Sequence, residues 1–366
     1  MKNNLGLYVH IPFCDKKCHY CDFASFCHSG DDASRYLEAL ERELLSFKAI
    51  LTGADVETIY IGGGTPSSLS LTETEQLLDI LKPYAREVTE WTIEANPESV
   101  SPDKVALWRD GGINRVSLGV QSLDPKWLKR LGRIHSTDRV AKAVRLIRER
   151  FDNLNLDLIY GLSSDDETYL ETLHGLISFA PEHISIYELE VYDHLPLARM
   201  IEKSVDSDIS YDQFHRLRRE LEQSGYARYE VSNFARPGFE SRHNQRYWLR
   251  RDTLGVGLAA HSLMGETRFA NPVDFQEYLR GDFHRESEAL TPRDALTEEF
   301  MLGLRLVNGI DYASLKQRYL AQGDLIESFV KSQMALERLA LEDDQLKPTT
   351  LGLDLLDRIV LDFMSL

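Results

Sequence analysis

The stretch from Leu7 to Phe23, LYVHIPFCDKKCHYCDF, decides the reading of this chain. It opens as a short apolar strand and then sets Cys14, Cys18 and Cys21 in a Cys-x3-Cys-x2-Cys pattern. Three thiols this close cannot all pair with one another, and disulfides closing such tight loops would be strained. Metal is the natural reading. A structural zinc site closes with four ligands, the fourth here being His10, His19, His28 or Cys27. An iron–sulfur cubane usually takes four thiolates, and three suffice where one iron stays open for another ligand. The spacing alone leaves both metals standing.

The rest of the composition narrows the setting. A length of 366 residues suggests one large domain and a smaller one. Hydrophobic residues make up 43%, as in an ordinary globular protein, and no apolar run is long enough to span a membrane. The N-terminus lacks a secretory pattern, and four cysteines, three of them clustered, fit a reducing compartment. A cytoplasmic protein is expected. The net charge of −17 argues against a nucleic-acid role, which needs a basic footprint. Cys27 reads as a small buried or half-buried thiol.

Strands and helices alternate after the cysteine stretch. A helix over 33–51 carries Leu37, Leu40, Leu44, Phe47 and Leu51 on one stripe. Strands follow at Thr58–Ile61, Trp91–Glu94, Val116–Gln121, Leu154–Tyr160 and Ile184–Leu189. Between them, Thr72 with Glu75 reads as a capping box, and Ser101-Pro102 as an N-cap followed by an N1 proline. Six such units imply parallel β/α pairing. Side-chain parity indicates a partial barrel. Leu7, Val9 and Ile11 oppose Tyr8 and His10; Leu154, Leu156 and Leu158 oppose Asn155 and Asp157. A parallel sheet covered on both faces would read apolar throughout. Here one polar face converges on something wet or charged, and Glu94, Gln121 and Asp157 fall near carboxyl ends of strands, where barrels gather function.

Beyond residue 205 the pattern changes. A helix over 211–224, a strand over Tyr229–Asn233 and an Arg-rich stretch around His243 precede a helical end from Pro292. Residues 324–363 read as helix, short wing at Leu341–Lys347, then helix, a winged-helix-like module read as a packing unit. The expected division is 1–205, 206–290 and 291–366.

The cysteine spacing resembles the radical S-adenosylmethionine (SAM) proteins, in which three cysteines hold a [4Fe-4S] cluster and SAM chelates the fourth iron. The flanking YVHIPFC resembles the oxygen-independent coproporphyrinogen oxidase branch, and Phe23 stands where its oxidase members carry a further cysteine. In that respect the chain is similar to the haem-chaperone members. The resemblance implies that Gly63, Gly64 and Thr65, within Gly62-Gly63-Gly64-Thr65-Pro66, hold the SAM amino group. It places Glu94 on the ribose hydroxyls, Gln121 and Asp157 on SAM or a second ligand, Arg133 on a carboxylate, and Tyr8 and Tyr20 beside the cofactor. Read without it, the glycine run is a bare turn and each polar residue a satisfied core group. No lysine follows the glycines, so a phosphate loop is not encoded.

His243-Asn244-x-x-Tyr247-Trp248 resembles the HNxxYW stretch that separates haem-chaperone members from oxidases. It implies His243 as an axial ligand of haem iron, Asn244 beside it, Tyr247 and Trp248 against the porphyrin, and Arg242 and Arg246 on propionates. The bland alternative is a loop with an aromatic anchor. No Cys-x-x-Cys-His occurs, so c-type haem attachment is not encoded.

The expected fold is therefore a radical SAM partial (β/α)6 barrel with an α-rich, winged-helix-like C-terminal domain. The expected function is haem binding and delivery to acceptor haemoproteins, with room for transient contact with membrane haemoproteins and no nucleic acid. The rival is oxidative decarboxylation of coproporphyrinogen III, against which stand Phe23 and the short leader before Cys14. A zinc-stabilised interaction protein is disfavoured by the SAM-type residues.

Overall fold

Six parallel strands form the middle of one sheet: β1 (Asn4–Ile11), β2 (Asp55–Gly63), β3 (Glu90–Ala95), β4 (Arg115–Gln121), β5 (Leu154–Tyr160) and β6 (His183–Glu188). The computed structural model describes residues 4–27, 31–164, 167–201, 205–283 and 286–366. Each strand pairs with the next in sequence, in parallel. The helices between them are α1 (Asp32–Ser46), α2 (Leu71–Leu81), α3 (Pro102–Asp110), α4 (Pro125–Leu131), α5 (Thr137–Arg148) and α6 (Thr168–Ser178). Local chemistry starts most of them. Ser101 caps α3 through the Lys104 amide, and Ser136 caps α5 through the Arg139 amide. The capping box of α2 lies two residues ahead of expectation, Ser70 pairing with Glu73 and not Thr72 with Glu75. Ser70 has the extended backbone an N-cap requires, whereas Thr72 is already helical.

The alternation read from sequence is the alternation of the sheet. Leu5, Leu7, Val9, Ile11, Ile59, Ile61, Trp91, Ile93, Val116, Leu118, Leu154 and Leu156 are buried in the large core under the helices. The opposite face presents Tyr8, Tyr60, Thr92, Glu94, Arg115, Ser117, Asn155, Asp157 and Ser185 to the inside of the curved sheet. The barrel is open. Beyond β6 the chain runs through α7 (Ser207–Gln223) to β7 (Ala227–Arg228) and β8 (Asn233–Ala235), and β8 pairs antiparallel with β6. Helix α8 (Arg242–Trp248) then carries the chain to the other edge, where β9 (Thr253–Val256) pairs in parallel with β1. Strands β10 (His261–Met264), β11 (Thr267–Ala270) and β12 (Glu286–Ala289) extend that edge, making a twelve-stranded sheet among the described residues.

Two expectations here need correction. The strand anticipated over Tyr229–Asn233 is split into β7 and β8, with Glu230 making only an isolated bridge to Leu306. The HNxxYW stretch is a helix, its N-terminus capped by the Ser241 hydroxyl. At the C-terminal end, α9 (Phe275–Arg280) packs on α1, and α10 (Pro292–Gly303), α11 (Gly323–Ala335) and α12 (Leu356–Met364) enclose a separate core around Phe300, Phe329 and Phe363. A small sheet of Ile310–Asp311, Leu339–Glu342 and Gln345–Pro348 forms the wing. Among the described residues no helix is long and apolar enough to cross a membrane.

Candidate cofactor site at the carboxyl ends of the strands

The loop after β1 is tied down before its sulfurs are considered. Phe13–Cys14 and Phe26–Cys27 pair as short parallel strands, and the Phe26 amide donates to the Pro12 carbonyl at 2.9 Å. His10 Nε2 lies 2.8 Å from the Ala24 carbonyl oxygen, and the Lys17 ammonium donates to the Phe23 and Ser25 carbonyls. The His19 amide donates to Leu131 O at 3.0 Å, fastening the loop to the end of α4. Cys14, Cys18 and Cys21 are free thiols on the wall of a cavity of about 440 Å³. Burial raises the thiol pKa of Cys14 and Cys21, opposed by hydrogen bonds from Thr65 and Ser25 to Cys14 and from the Phe23 backbone to Cys21.

Cys27 is exposed, contrary to expectation. Its place at the end of the short strand pair turns it out of the loop, where its thiol donates to the Asp15 carbonyl at 3.7 Å. Of the other candidate fourth ligands, His10 bridges Tyr8 and Ala24, and His19 Nδ1 faces the Arg130 carbonyl; His28 lies outside the described residues. No three His, Cys, Asp or Glu side chains among the described residues are gathered as a single metal ion requires. A cubane instead spreads its thiolates over separate corners.

The glycine run passes directly behind the loop. Gly63 has φ +114°, and a Cβ there would sit 2.6 Å from the His10 ring. A Cβ on Gly64 would sit 2.7 Å from the Phe13 carbonyl. Only glycine lets this turn lie so close. The Gly64 and Thr65 amides donate to Ile11 O and Phe13 O. The Thr65 hydroxyl reaches Cys14 Sγ at 3.5 Å and accepts from the Asn96 side-chain amide at 3.0 Å. Asn96 Oδ1 in turn accepts from Arg133 Nη2 at 2.7 Å, and Arg133 Nη1 reaches Cys18 Sγ at 3.6 Å. Arg133 Nε is buried with no acceptor among the described residues.

Two carboxylates face the cavity from β3 and β5. Glu94 accepts from the Tyr60 hydroxyl at 2.7 Å and from the Gly63 amide at 3.1 Å. Burial pushes its pKa up to about 7, partly offset by the Tyr60 hydrogen bond. Burial also raises the Asp157 pKa, against the Asn155 amide that donates to it at 2.7 Å. Gln121 closes this side with φ +68° at a break in the β4–β5 register, a conformation that costs energy away from glycine.

Thus Tyr20, Gly63, Gly64, Thr65, Glu94, Gln121, Arg133 and Asp157 meet the three cysteines around one cavity. Tyr8 stands a layer below, stacked on Tyr60 at 6.2 Å and bonded to His10. His243, Asn244, Tyr247 and Trp248 are not on its wall. His243 is 1% exposed, its Nδ1 2.8 Å from Thr58 Oγ1 and its Nε2 3.0 Å from the Tyr247 hydroxyl. Both ring nitrogens are thus engaged inside the barrel. Arg246 donates through both Nη atoms to Asn4, Glu57 and Asp252, while its Nε is buried with no acceptor among the described residues. Asn96 and Tyr60 went unread in the sequence; their signal was strand parity and the Glu-Ala-Asn-Pro turn.

Three free thiols on one wall, a glycine turn with close backbone approach and an orphaned buried guanidinium nitrogen fit a cubane with one open iron and a SAM molecule beside it. Comparison with known proteins agrees. Residues 8–176 match the radical SAM superfamily, and residues 290–355 the HemN C-terminal domain. The chain is 33% identical to the heme chaperone HemW of Bacillus subtilis over 85% of its own length and 86% of that protein. It is 34% identical to HemW of Escherichia coli, covering 90% of this chain and 89% of the other. Among solved structures, the coproporphyrinogen III oxidase HemN of Escherichia coli superposes with a TM-score of 0.86 at 26% identity, over 99% of this chain and 90% of that one. On the cysteine loop, the cavity and these matches, the chain belongs to the HemW family of radical SAM proteins.

Proposed function

We infer that this protein is a haem chaperone, binding haem and passing it to acceptor haemoproteins while carrying a SAM-ligated [4Fe-4S] cluster. The observation that carries this reading is near full-length similarity to heme chaperones at 33–34% identity. Phe23, 68% exposed, supports it at the position where the oxidases have a further cysteine. Cys14, Cys18 and Cys21 would hold the cluster, which would leave an iron open to SAM. Gly63, Gly64 and Thr65 line the amino side, and Arg133 Nε offers a donor to a carboxylate. Glu94 accepts ribose hydroxyls; Gln121, Asp157 and Tyr20 complete the wall. The proposed setting is the cytoplasm, any contact with membrane haemoproteins being peripheral.

Anaerobically reconstituted protein is expected to hold about four irons per chain, to bind haem with a Soret shift, and to transfer it to an apo-haemoprotein. Cys18→Ala abolishes the iron chromophore, and Cys27→Ser leaves it unchanged. The similarity in fold to HemN favours oxidase chemistry as the second reading. Robust conversion of coproporphyrinogen III to protoporphyrinogen, without haem transfer, would establish it instead.

A further inference from the structure

Helix α8 occupies the inside of the barrel beneath the cofactor cavity, and its contacts lead upward. Its N-terminus is capped by β3: the Glu90 carboxylate accepts from the His243 amide at 2.9 Å, the Arg242 amide at 3.0 Å and the Ser241 hydroxyl at 3.4 Å. That anchors the helix from the strand that carries Glu94. The His243 ring is then fixed between Thr58 of β2 and Tyr247 of its own helix. It stacks on Tyr60, ring centres 5.2 Å apart and planes 28° from parallel. Tyr60 is also stacked with Tyr8, 6.2 Å away. Its hydroxyl is thereby aimed at Glu94, whose second oxygen holds the Gly63 amide.

We propose that the HNxxYW helix is a positioning device for the SAM site, with His243 acting through Tyr60 to fix Glu94 and the glycine turn. The proposal rests on the reading of Glu94 as a SAM-binding group. Four features select this role. First, the imidazole is enclosed with both nitrogens used. Second, it stays neutral, its pKa held down to about 3 by burial and by the Arg246 and Arg115 charges; a neutral ring can donate on one side and accept on the other. Third, aromatic stacking constrains the plane of Tyr60 more tightly than an aliphatic neighbour. Fourth, the same Tyr8–His10 contact that closes the stack continues to Ala24 in the cysteine loop. One column of rings therefore touches both the glycine turn and the loop that bears the thiols. The far end of the motif leaves the barrel. Trp248 lies under the Arg305 guanidinium, 5.2 Å from its ring, just beyond α10.

The test uses cluster-loaded protein and three variants, His243→Phe, Tyr60→Phe and Glu94→Gln. His243→Phe keeps an aromatic ring and loses both hydrogen bonds; Tyr60→Phe leaves α8 in place and loses only the hydroxyl to Glu94. Iron content, SAM affinity, the change in the reduced-cluster EPR spectrum on SAM addition, and haem titration are read on each. SAM affinity is expected to fall roughly tenfold in all three, the scale of one hydrogen bond to a charged group. The SAM-induced EPR change should weaken alongside it, with iron content and haem curves unchanged. If His243→Phe does not fold, Tyr60→Phe decides. A loss confined to Glu94→Gln overturns the relay, and unchanged affinity in all three overturns the reading of Glu94 on which it rests. Loss of the Soret shift in His243→Phe with SAM binding intact overturns the proposal in favour of His243 as haem ligand.

Discussion

Glu94 shows what a buried carboxyl costs where it stands. A carboxyl in water ionises near 4.5, whereas burial raises Glu94 to about 7. The fold therefore favours the protonated form. Its stabilising contribution is complete below about 4.5 and is lost as pH rises through about 7. SAM-free Glu94→Gln protein should accordingly melt above the wild type at pH 8, with the gap closing as pH falls from about 7 toward about 4.5, in paired thermal scans. A gap that widens on acidification would contradict the assignment. The same variant is expected to weaken SAM binding under the proposed role of Glu94, so stability and function would pull in opposite directions at this residue. At this scale the sequence was informative wherever chemistry is local. The cysteine spacing and the glycine run announce themselves within a few positions, and both meet at one cavity. His243 did not, because its partners Thr58 and Tyr60 lie more than 180 residues away and only the fold brings them together. Cys27 misled because general burial of free cysteine says nothing of a two-residue strand that faces it outward.

Strand parity carries over directly into architecture, since alternate residues must face opposite sides of a sheet. Leu154, Leu156 and Leu158 are fully buried under the helices, and Asn155 and Asp157 are bonded to each other on the inner face. Helix α8 had no such periodic signal: seven residues, mostly polar, show no apolar stripe. It is held by individual polar contacts. Arg246, 2% exposed, donates to the Asn4 carbonyl at 2.8 Å, the Asp252 carbonyl at 2.9 Å and the Glu57 carboxylate at 2.6 Å. These tie α8 to the starts of β1 and β2 and to the approach to β9. The guanidinium lies against Gly6, where a Cβ would come within 2.7 Å of Nε. Arg246→Ala leaves the Asn4 and Asp252 carbonyls and the half-buried Glu57 carboxylate without this donor, and a loss of about 1–3 kcal/mol is expected in denaturant unfolding. Arg246→Lys should recover only part of this, because an ammonium cannot reach the separated acceptors as a planar fork does. Full recovery by lysine would mean that charge, not geometry, holds the helix.

Over the described residues the two larger apolar cores are joined by polar contacts. The large core lies under the barrel helices, and the smaller one surrounds Phe300, Phe329 and Phe363. Between them Glu298 of α10, itself buried, pairs with Arg250 at 2.8 Å and with Arg268 of β11. Arg250 follows α8 by two residues and also reaches Glu266 at 2.6 Å. The Val307 amide donates to Tyr229 O, adding one backbone link. A buried charge that loses its partner costs several kcal/mol, so this joint couples the two cores cooperatively. Glu298→Ala is expected to leave Arg250 paired with the exposed Glu266 and to remove the Glu298 partner of Arg268. In calorimetry the variant should unfold in two steps, the C-terminal helices first, where the wild type unfolds in one. Iron content after reconstitution should be unchanged, since no cluster residue lies near the joint. A single transition at the wild-type midpoint would show that apolar packing, rather than this ion-pair group, binds the two cores together.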